Sequence, residues 1–245
     1  MGPLAGVRIV EFAGIGPGPF CGMLLADLGA DVLLVERKVP NANTAGVSFF
    51  NLGRFAIHHR GKRAIALDLK KPEGTAVALR LIERADALIE GFRPGVMERM
   101  GLGPEACAAR NPRLVYGRMT GWGQTGTLSH AAGHDLNYLA RSGVLGAQGP
   151  SDRPPQVPGF QLADVSGGMW SVIAIQAALM ERARTGQGAV IDIAMTDGVL
   201  GFAVTAMASA LAGEAHSRGT EPLTGGIAPY NTYTSSDGHP ITLAA

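Results

Sequence analysis

Two patterns of apolar and polar residues alternate along this chain. Short, nearly continuous apolar runs are separated by longer stretches in which apolar residues recur with helical spacing. The short runs predict strands at Val7–Phe12, Asp31–Glu36, Ala87–Glu90, Leu114–Met119 and Val190–Met195. Between them, apolar positions three and four residues apart predict helices, including Phe20–Leu28 and Pro72–Arg84. This strand–helix–strand order predicts parallel βαβ units, and therefore an α/β fold built on a parallel sheet.

The last part of the chain has a different pattern. Leu200–Leu211 predicts an apolar helix, and the residues from Gly225 to Pro240 predict a hairpin that turns at Asp237-Gly238. We therefore predict a large domain over residues 1–197, a helical linker over 198–224 and the start of a smaller second domain over 225–245.

Composition and charge narrow the possible functions. The chain has 245 residues, 46% of them hydrophobic, and a formal net charge of +1, which suits a globular protein and gives no reason to expect a nucleic acid partner. Its two cysteines exclude a disulfide framework and a cysteine-rich metal site. The first residues lack a secretory signal, and the uncharged runs Val165–Met180 and Gly198–Gly213 are too short to span a membrane. We therefore expect a cytoplasmic protein with no membrane partner.

A glycine-rich loop with the sequence GIGPGP follows the first predicted strand. Such a loop suggests a dinucleotide site, and Glu36 follows it at about 20 residues, as the G-x-G-x-x-G fingerprint requires. However, Pro19 occupies the third glycine position, and Pro17 and Pro19 remove two amide donors that a pyrophosphate would use. We therefore do not expect NAD as a cofactor.

Two stretches carry residues suited to proton transfer. His134 precedes one predicted helix, and Asp164 precedes a second, long helix that we expect to be capped by Ser166 and to run to about Arg182. A histidine and a carboxylate are able to act as an acid–base pair. The alternative is a structural histidine and an ordinary capping acid, which the residue types alone favour. His130 and His134 have the spacing of a metal site, but no third ligand accompanies them, and we expect no metal.

The sequence of several stretches resembles one enzyme family. The motifs that carry the resemblance are LAGVRIVE (4–11), GPGP (16–19), LADLGADV (25–32), EGFRPGVMERMGLGP (90–104), GHDLNYLA (133–140), LADVSGG (162–168) and GQGAVIDIAMTD (186–197). They resemble the alpha-methylacyl-CoA racemases of the family III CoA-transferase (CaiB/BaiF) superfamily, from near residue 3 to the end of the chain. Transferase relatives generally keep the residue at Asp164 but have an aromatic residue in place of His134.

The resemblance implies a Rossmann-like domain that binds coenzyme A esters. No separate cofactor is implied, because coenzyme A is part of the acyl-CoA substrate. His134 and Asp164 are implied as catalytic residues. Those implied in binding the coenzyme or its thioester are Arg37, Leu67, Asp68, Leu69, Lys70, Gly91, Phe92, Arg93, Arg99, Gly133, Asp135 and Tyr138.

A basic region precedes the Leu67–Lys70 positions. It contains Arg54, His58, His59, Arg60, Lys62 and Arg63. Such a region is either a solvated face or the mouth of a polyanion pocket, and the superfamily carries a similar segment that helps to hold the nucleotide.

The implied reaction is epimerisation of a 2-methylacyl-CoA at the carbon alpha to the thioester. His134 and Asp164 would act on opposite faces of that carbon, and the Asp135 backbone amide is the candidate donor to the enolate oxygen. One alternative is a CoA-transferase in which Asp164 is the nucleophile. Another is an inactive CoA-binding or assembly partner, because family members continue beyond residue 245 and form interlocked homodimers. We expect a C-terminally truncated chain whose full-length form is such a homodimer.

Overall fold

The computed structural model describes residues 2–37, 56–214 and 217–245. Its strands are β1 (Arg8–Phe12), β2 (Asp31–Glu36), β3 (Lys62–Ala66), β4 (Ala87–Glu90), β5 (Val115–Thr120), β6 (Ala189–Ala194), β7 (Tyr230–Thr234) and β8 (Pro240–Ala244). β1 to β6 form one parallel sheet in the order β3-β2-β1-β4-β5-β6. This is the strand order of a Rossmann fold, and it confirms the predicted α/β class.

The helices connect these strands. They are α1 (Pro17–Asp27), α2 (Pro72–Ile82), α3 (Val96–Arg99), α4 (Pro104–Arg110), α5 (Asp135–Arg141), α6 (Leu162–Thr185), α7 (Met195–Leu200) and α8 (Val204–Leu211). α1 begins earlier than the predicted Phe20, because prolines are tolerated in a first turn whose amides have no partner within the helix. The predicted helix Leu200–Leu211 is interrupted by a 3-10 turn at Gly201–Ala203.

The strand order fixes one edge of the sheet as the place for a ligand. The chain runs from β1 through β2 to β3 on one side and then crosses to β4 on the other side of β1. Because all six strands are parallel, the loops after β1, β2, β3 and β4 leave the sheet at the same edge. Ligands of open α/β sheets bind at such an edge, where the strand order reverses.

The chain divides into two compact units. The first contains the described residues through Ala132 together with Asp164–Met195, and the second contains Gly133–Ala163 and Thr196–Ala245. The sequence patterns gave no sign that Gly133–Ala163 groups with the C-terminal residues. The predicted domain limits at residues 197 and 224 remain predictions.

The core of the first unit lies against the sheet. Every residue of β4 and β5 is buried, because parallel strands in this fold are covered on both faces. One apolar cluster consists of Val10, Phe12, Val35, Ala78, Ile82, Ala85, Leu88, Met97, Leu102, Cys107, Leu114 and Tyr116. Full burial of a side chain such as Ile82 or Leu88 stabilises the fold by about 1.5–3 kcal/mol.

α6 leads from the region of β5 back to β6. The side chain of Ile175 packs on β5, where a Cβ added to Gly117 would lie 3.4 Å from the Ile175 Cδ1 atom. Near the other end of the helix, Arg182 pairs with Asp86 at 3.0 Å. The length and apolar composition of α6 would also suit a membrane-crossing helix, but core helices pass the same test, so this observation is weak.

The hairpin predicted near the C-terminus is present in the second unit. β7 and β8 pair antiparallel, from Tyr230 opposite Ala244 to Thr234 opposite Pro240. Gly238 in the turn has a φ of 85°, a conformation that glycine adopts without strain. The predicted Asp-Gly turn is confirmed.

Candidate active site

Asp164 is held close to the glycine loop in the first unit. It is the third residue of α6 and is half-buried. Gly16 has a φ of +68°, and a Cβ added there would lie only 2.5 Å from Oδ2 of Asp164. Because ordinary contacts begin at about 3.4 Å, only glycine lets the loop after β1 approach this carboxylate so closely. Gly16 is also the N-cap of α1, and the N-terminal end of a helix dipole favours a nearby negative charge.

The two glycines of the LADVSGG motif, Gly167 and Gly168, serve packing. A Cβ on Gly167 would lie 2.7 Å from Cγ of Met195, and a Cβ on Gly168 would lie 2.6 Å from the Phe20 ring. The missing side chains therefore allow α6 to pack closely against its neighbours in the first unit.

His134 is the N-cap of α5 in the second unit, and it is exposed to solvent. Its backbone amide donates to Oδ1 of Asn137 at 3.0 Å, and its carbonyl accepts the Asn137 amide at 2.8 Å. The Tyr138 hydroxyl donates to the carbonyl of Gly133 at 2.6 Å. These bonds fix the backbone on both sides of His134, so the position of its imidazole depends on few side-chain torsions.

Asp135, the first residue of α5, contacts the start of α6. Its Oδ1 accepts the backbone amide of Ala163 at 2.6 Å, and both residues belong to the second unit. This bond satisfies a first-turn amide from outside the helix. It explains why α6 begins at Leu162, whereas we had predicted Ser166 as the cap.

The remaining predicted coenzyme positions lie after three strands of the first unit, namely β2, β3 and β4. Arg37 directly follows β2 and is exposed. Leu67–Lys70 follows β3, Gly91–Arg93 follows β4, and Arg99 ends α3. Because β2, β3 and β4 leave the sheet at the same edge, the fold brings these positions to the side where a Rossmann fold binds its ligand.

Several of these side chains are already used within the fold. Leu67, Leu69 and Phe92 are partly buried against the apolar cluster. The carboxylate of Asp68 accepts the Lys70 amide at 3.1 Å, which forms the turn after β3. A contact from these residues to the coenzyme would therefore be made mainly by their backbone. Arg37, Lys70, Arg93 and Arg99 have exposed side chains.

Much of the basic region pairs with acids of its own unit. The side chain of Lys62 is buried and its Nζ lies 2.7 Å from Oε2 of Glu11, and Nζ also donates to the Pro19 carbonyl at 2.9 Å. Arg60 pairs with Asp27, and Arg63 pairs with Asp31. Lys62 is therefore neutralised inside the fold, whereas Arg60 and Arg63 form their ion pairs at the surface. Arg54 lies outside the described residues.

Comparison with known proteins identifies the family. Residues 4–245 match the family described as CoA-transferase family III. The chain belongs to CoA-transferase family III. Members with different activities resemble it: it is 44% identical to mouse "Alpha-methylacyl-CoA racemase", with 99% of this chain and 61% of that protein covered. It is 35% identical to mouse "Succinyl-CoA:glutarate CoA-transferase", with 98% of this chain and 56% of that protein covered.

A solved structure supports the same assignment to family III. The crystal structure of a CaiB/BaiF family protein from Brucella suis is 37% identical, with a TM-score of 0.87. It covers 99% of this chain, which in turn covers 66% of that protein. The chain therefore spans less than two thirds of the length of each of these relatives.

Sequence reasoning missed two features of this candidate site. The first is the close approach of Gly16 to Asp164, although the glycine-rich loop was a visible signal. The second is the pairing of Arg118 with Glu90 and Glu98. Charged residues at the ends of buried strands were a signal that partners exist, but they did not say which residues those partners are.

Proposed function

We propose that this chain is the coenzyme-binding and proton-transferring part of an enzyme that epimerises 2-methylacyl-CoA thioesters at the alpha carbon. The 44% identity to mouse alpha-methylacyl-CoA racemase over nearly the whole chain supports this proposal. The substrate would be an acyl-CoA, and no separate cofactor would be required. The full-length protein would act as a homodimer in the cytoplasm.

The reaction proceeds through an enolate in this proposal. The thioester carbonyl makes the alpha proton removable, and one base takes it while the conjugate acid of the other returns a proton to the opposite face. For one enantiomer His134 is the base and protonated Asp164 is the acid, and for the other enantiomer the roles exchange. The enolate oxygen accepts a hydrogen bond from the Asp135 backbone amide, beside Gly133 and Tyr138.

The single observation that carries the proposal is a second ionisable side chain. A transferase needs only the carboxylate of Asp164, so it gives no reason for an exposed histidine at the start of α5. The backbone of His134 is fixed by Asn137, and the next residue is hydrogen-bonded to Ala163, directly before Asp164. Such fixing of backbone suits a residue that has to meet a substrate atom within hydrogen-bonding distance.

Coenzyme binding is assigned to the edge of the sheet in the first unit. Arg37, Lys70, Arg93 and Arg99 offer positive charge there, and guanidinium groups bind phosphate oxygens in pairs. Leu67, Asp68, Leu69, Gly91 and Phe92 complete the proposed set. Most of these would act through backbone groups.

Exchange of the alpha proton in deuterated water tests the proposal with separate enantiomers. Each single variant, His134→Ala or Asp164→Ala, should still exchange the alpha proton of one enantiomer, and the two variants should prefer opposite enantiomers. Neither variant should interconvert the enantiomers. If both variants lose the same enantiomer, or if either still epimerises at the wild-type rate, the two-base mechanism is wrong.

A family III CoA-transferase is the second candidate, because Asp164 is also the residue that such a mechanism requires and the chain is 35% identical to a named transferase. Asp164 would attack the thioester carbonyl, release coenzyme A and form a mixed anhydride. Incubation with acyl-CoA followed by hydroxylamine would then leave a hydroxamate at Asp164, detectable by mass spectrometry. Such labelling without alpha-proton exchange would favour the transferase.

A further inference from the structure

A cluster of three charged residues holds the segment that contains Arg93 and Arg99, and two of the three, Glu90 and Arg118, are buried. Arg118, near the end of β5, is only 7% exposed, and its Nε donates to Oε1 of Glu90 at 2.9 Å. Its Nη1 donates to Oε1 of Glu98 on α3 at 2.7 Å, and its Nη2 donates to Oε2 of the same carboxylate at 3.3 Å. One guanidinium therefore joins the last residue of β4 to α3.

Two further hydrogen bonds hold the same segment. Oε2 of Glu90 accepts the Phe92 amide at 2.7 Å, and the Tyr116 hydroxyl donates to the Leu102 carbonyl at 2.8 Å. Tyr116 and Arg118 are two residues apart on β5, so their side chains leave the same face of the strand. The segment from Glu90 to Leu102 is therefore fixed at its start, its middle and its end by side chains of the sheet.

The charges of the cluster depend on each other. Burial raises the pKa of Glu90, although the Phe92 amide and Arg118 oppose this effect. Burial is the largest single effect on Glu98 and raises its pKa, but the hydrogen bond and charge of Arg118 together with backbone hydrogen bonds outweigh it and hold the pKa of Glu98 below its usual value. Glu98 is thus an anion held within the segment that we assign to coenzyme binding.

Arg93 and Arg99 are placed to use this support. Both side chains are exposed, and within the described part of the chain neither forms an ion pair. The guanidinium of Arg99 lies over Gly95, where an added Cβ would come within 3.1 Å of Nη1. A cation that has no acidic partner and stands on a fixed backbone is suited to bind an external anion.

We propose that Arg118, Glu90 and Glu98 are positioning residues for the coenzyme site. They hold the backbone of residues 91–99 so that Arg93 and Arg99 meet the phosphates of coenzyme A without first having to be ordered. This inference rests on the proposed function, which assigns coenzyme binding to those two arginines. The positioning residues themselves do not touch the substrate.

The test is the dissociation constant of coenzyme A, measured by calorimetry on the wild-type chain and on Glu98→Gln. Glu98 is 44% exposed, so this variant should fold. Loss of its charged bond to Arg118 should weaken coenzyme A binding about tenfold. If Glu98 acted only through its charge, Glu98→Gln would instead strengthen coenzyme A binding, because removing an anion favours binding of a polyanion. Unchanged or tighter binding would overturn the proposal.

Two controls separate positioning from other effects. Arg63→Lys breaks a forked ion pair with Asp31 elsewhere in the same unit and should leave the dissociation constant unchanged, whereas Arg118→Lys should weaken binding as Glu98→Gln does. In an Arg93→Ala, Arg99→Ala background, Glu98→Gln should have no further effect. A persisting tenfold effect there would contradict positioning through the arginines.

Failure of the proposed reaction can be distinguished from failure of this inference. Alpha-proton exchange by the wild-type chain reports on the reaction, while calorimetry with coenzyme A reports on the positioning residues. A chain that binds coenzyme A, loses affinity in Glu98→Gln and does not exchange the proton would support positioning and contradict epimerisation.

Discussion

Replacement of Gly16 by alanine should disturb Asp164 specifically. The added Cβ would lie 2.5 Å from Oδ2 of Asp164, about 0.9 Å inside the 3.4 Å at which ordinary contacts begin. Gly16 also has φ 68° and ψ −115°, a conformation that residues with a Cβ rarely adopt. Strain of this kind costs about 1–3 kcal/mol. Either the loop or the carboxylate therefore has to move by nearly 1 Å.

A displacement of that size has a predictable cost in rate. Misplacing a catalytic group by about 1 Å lowers the rate by about a hundredfold, because the reacting atoms no longer meet in line. We therefore expect Gly16→Ala to lower the rate of alpha-proton exchange by about a hundredfold through Asp164. Coenzyme A binding should change by less than about twofold, since Asp164 is not assigned to the coenzyme.

The matched control is Gly14→Ala in the same loop. Gly14 has no positive φ, and a Cβ added there meets nothing within 4 Å. Exchange is followed by proton NMR with both enantiomers of a 2-methylacyl-CoA, and thermal unfolding is recorded for each variant. If Gly16→Ala folds and keeps the exchange rate of Gly14→Ala, the close approach of Gly16 does not matter to Asp164 and the reasoning fails.

The remaining predictions concern stability and the support of His134. Gly22→Ala should destabilise the chain by at least about 3 kcal/mol, because its Cβ would lie 1.8 Å from Oε2 of buried Glu11, whereas Gly18→Ala in the same helix meets nothing and should be neutral or stabilising. Denaturant unfolding of both variants measures this, and equal midpoints would contradict it. Burial raises the pKa of Glu11 to about 7, although Lys62 opposes this effect. The folded chain therefore binds the Glu11 proton more tightly than the unfolded chain does. The stabilisation that results is full below the ordinary pKa of 4.5 and is lost as the pH rises to about 7. The loss in the free energy of unfolding should reach up to about 3 kcal/mol. The free energy of unfolding should therefore differ less between about pH 5 and about pH 8 in Glu11→Gln than in the wild-type chain. Tyr138→Phe removes the hydrogen bond from the Tyr138 hydroxyl to the Gly133 carbonyl. It should slow alpha-proton exchange several-fold, while the free energy of unfolding changes by only about 1 kcal/mol. An unchanged exchange rate would show that this bond does not support His134.

The sheet could be predicted from sequence because its strands carry strong local patterns. Asp31–Glu36 and Ala87–Glu90 agree with β2 and β4 at both ends, since each is a short run rich in buried apolar side chains with a glycine close to one end. The hairpin turn at Asp237-Gly238 was also predictable, because few dipeptides favour that turn so strongly. The order of strands within the sheet is a long-range property, and no single stretch carries it.

The errors arose where a distant residue decides a local structure. Serine is a common N-cap residue, and we therefore predicted Ser166 as the cap. However, α6 begins at Leu162, because the side chain of Asp135 on another helix accepts the Ala163 amide. Lys62 lies within a basic region that we interpreted as either a solvated face or the mouth of a polyanion pocket, yet its side chain is buried in an ion pair with Glu11, two strands away. The pattern of residues along a short stretch of sequence depends only on that stretch. It therefore does not show partners that are distant in sequence.

The candidate site was predicted in part. The positions after β2, β3 and β4 were named from a resemblance, and the fold brings them to one edge of the sheet. The residues that support them could not be named, because Arg118 and Glu98 are 20 residues apart and their pairing depends on the placement of α3. The catalytic assignment of His134 and Asp164 remains a prediction.

Proton NMR of a 2-methylacyl-CoA in deuterated water, with the wild-type chain and with the double variant His134→Ala, Asp164→Ala, tests the central claim most directly. We predict that the alpha-proton signal is lost with the wild-type chain and persists with the double variant, while coenzyme A binds both. Loss of the signal at the same rate in both would show that neither residue is the base, and a signal that persists with a wild-type chain that binds coenzyme A would contradict epimerisation by this chain.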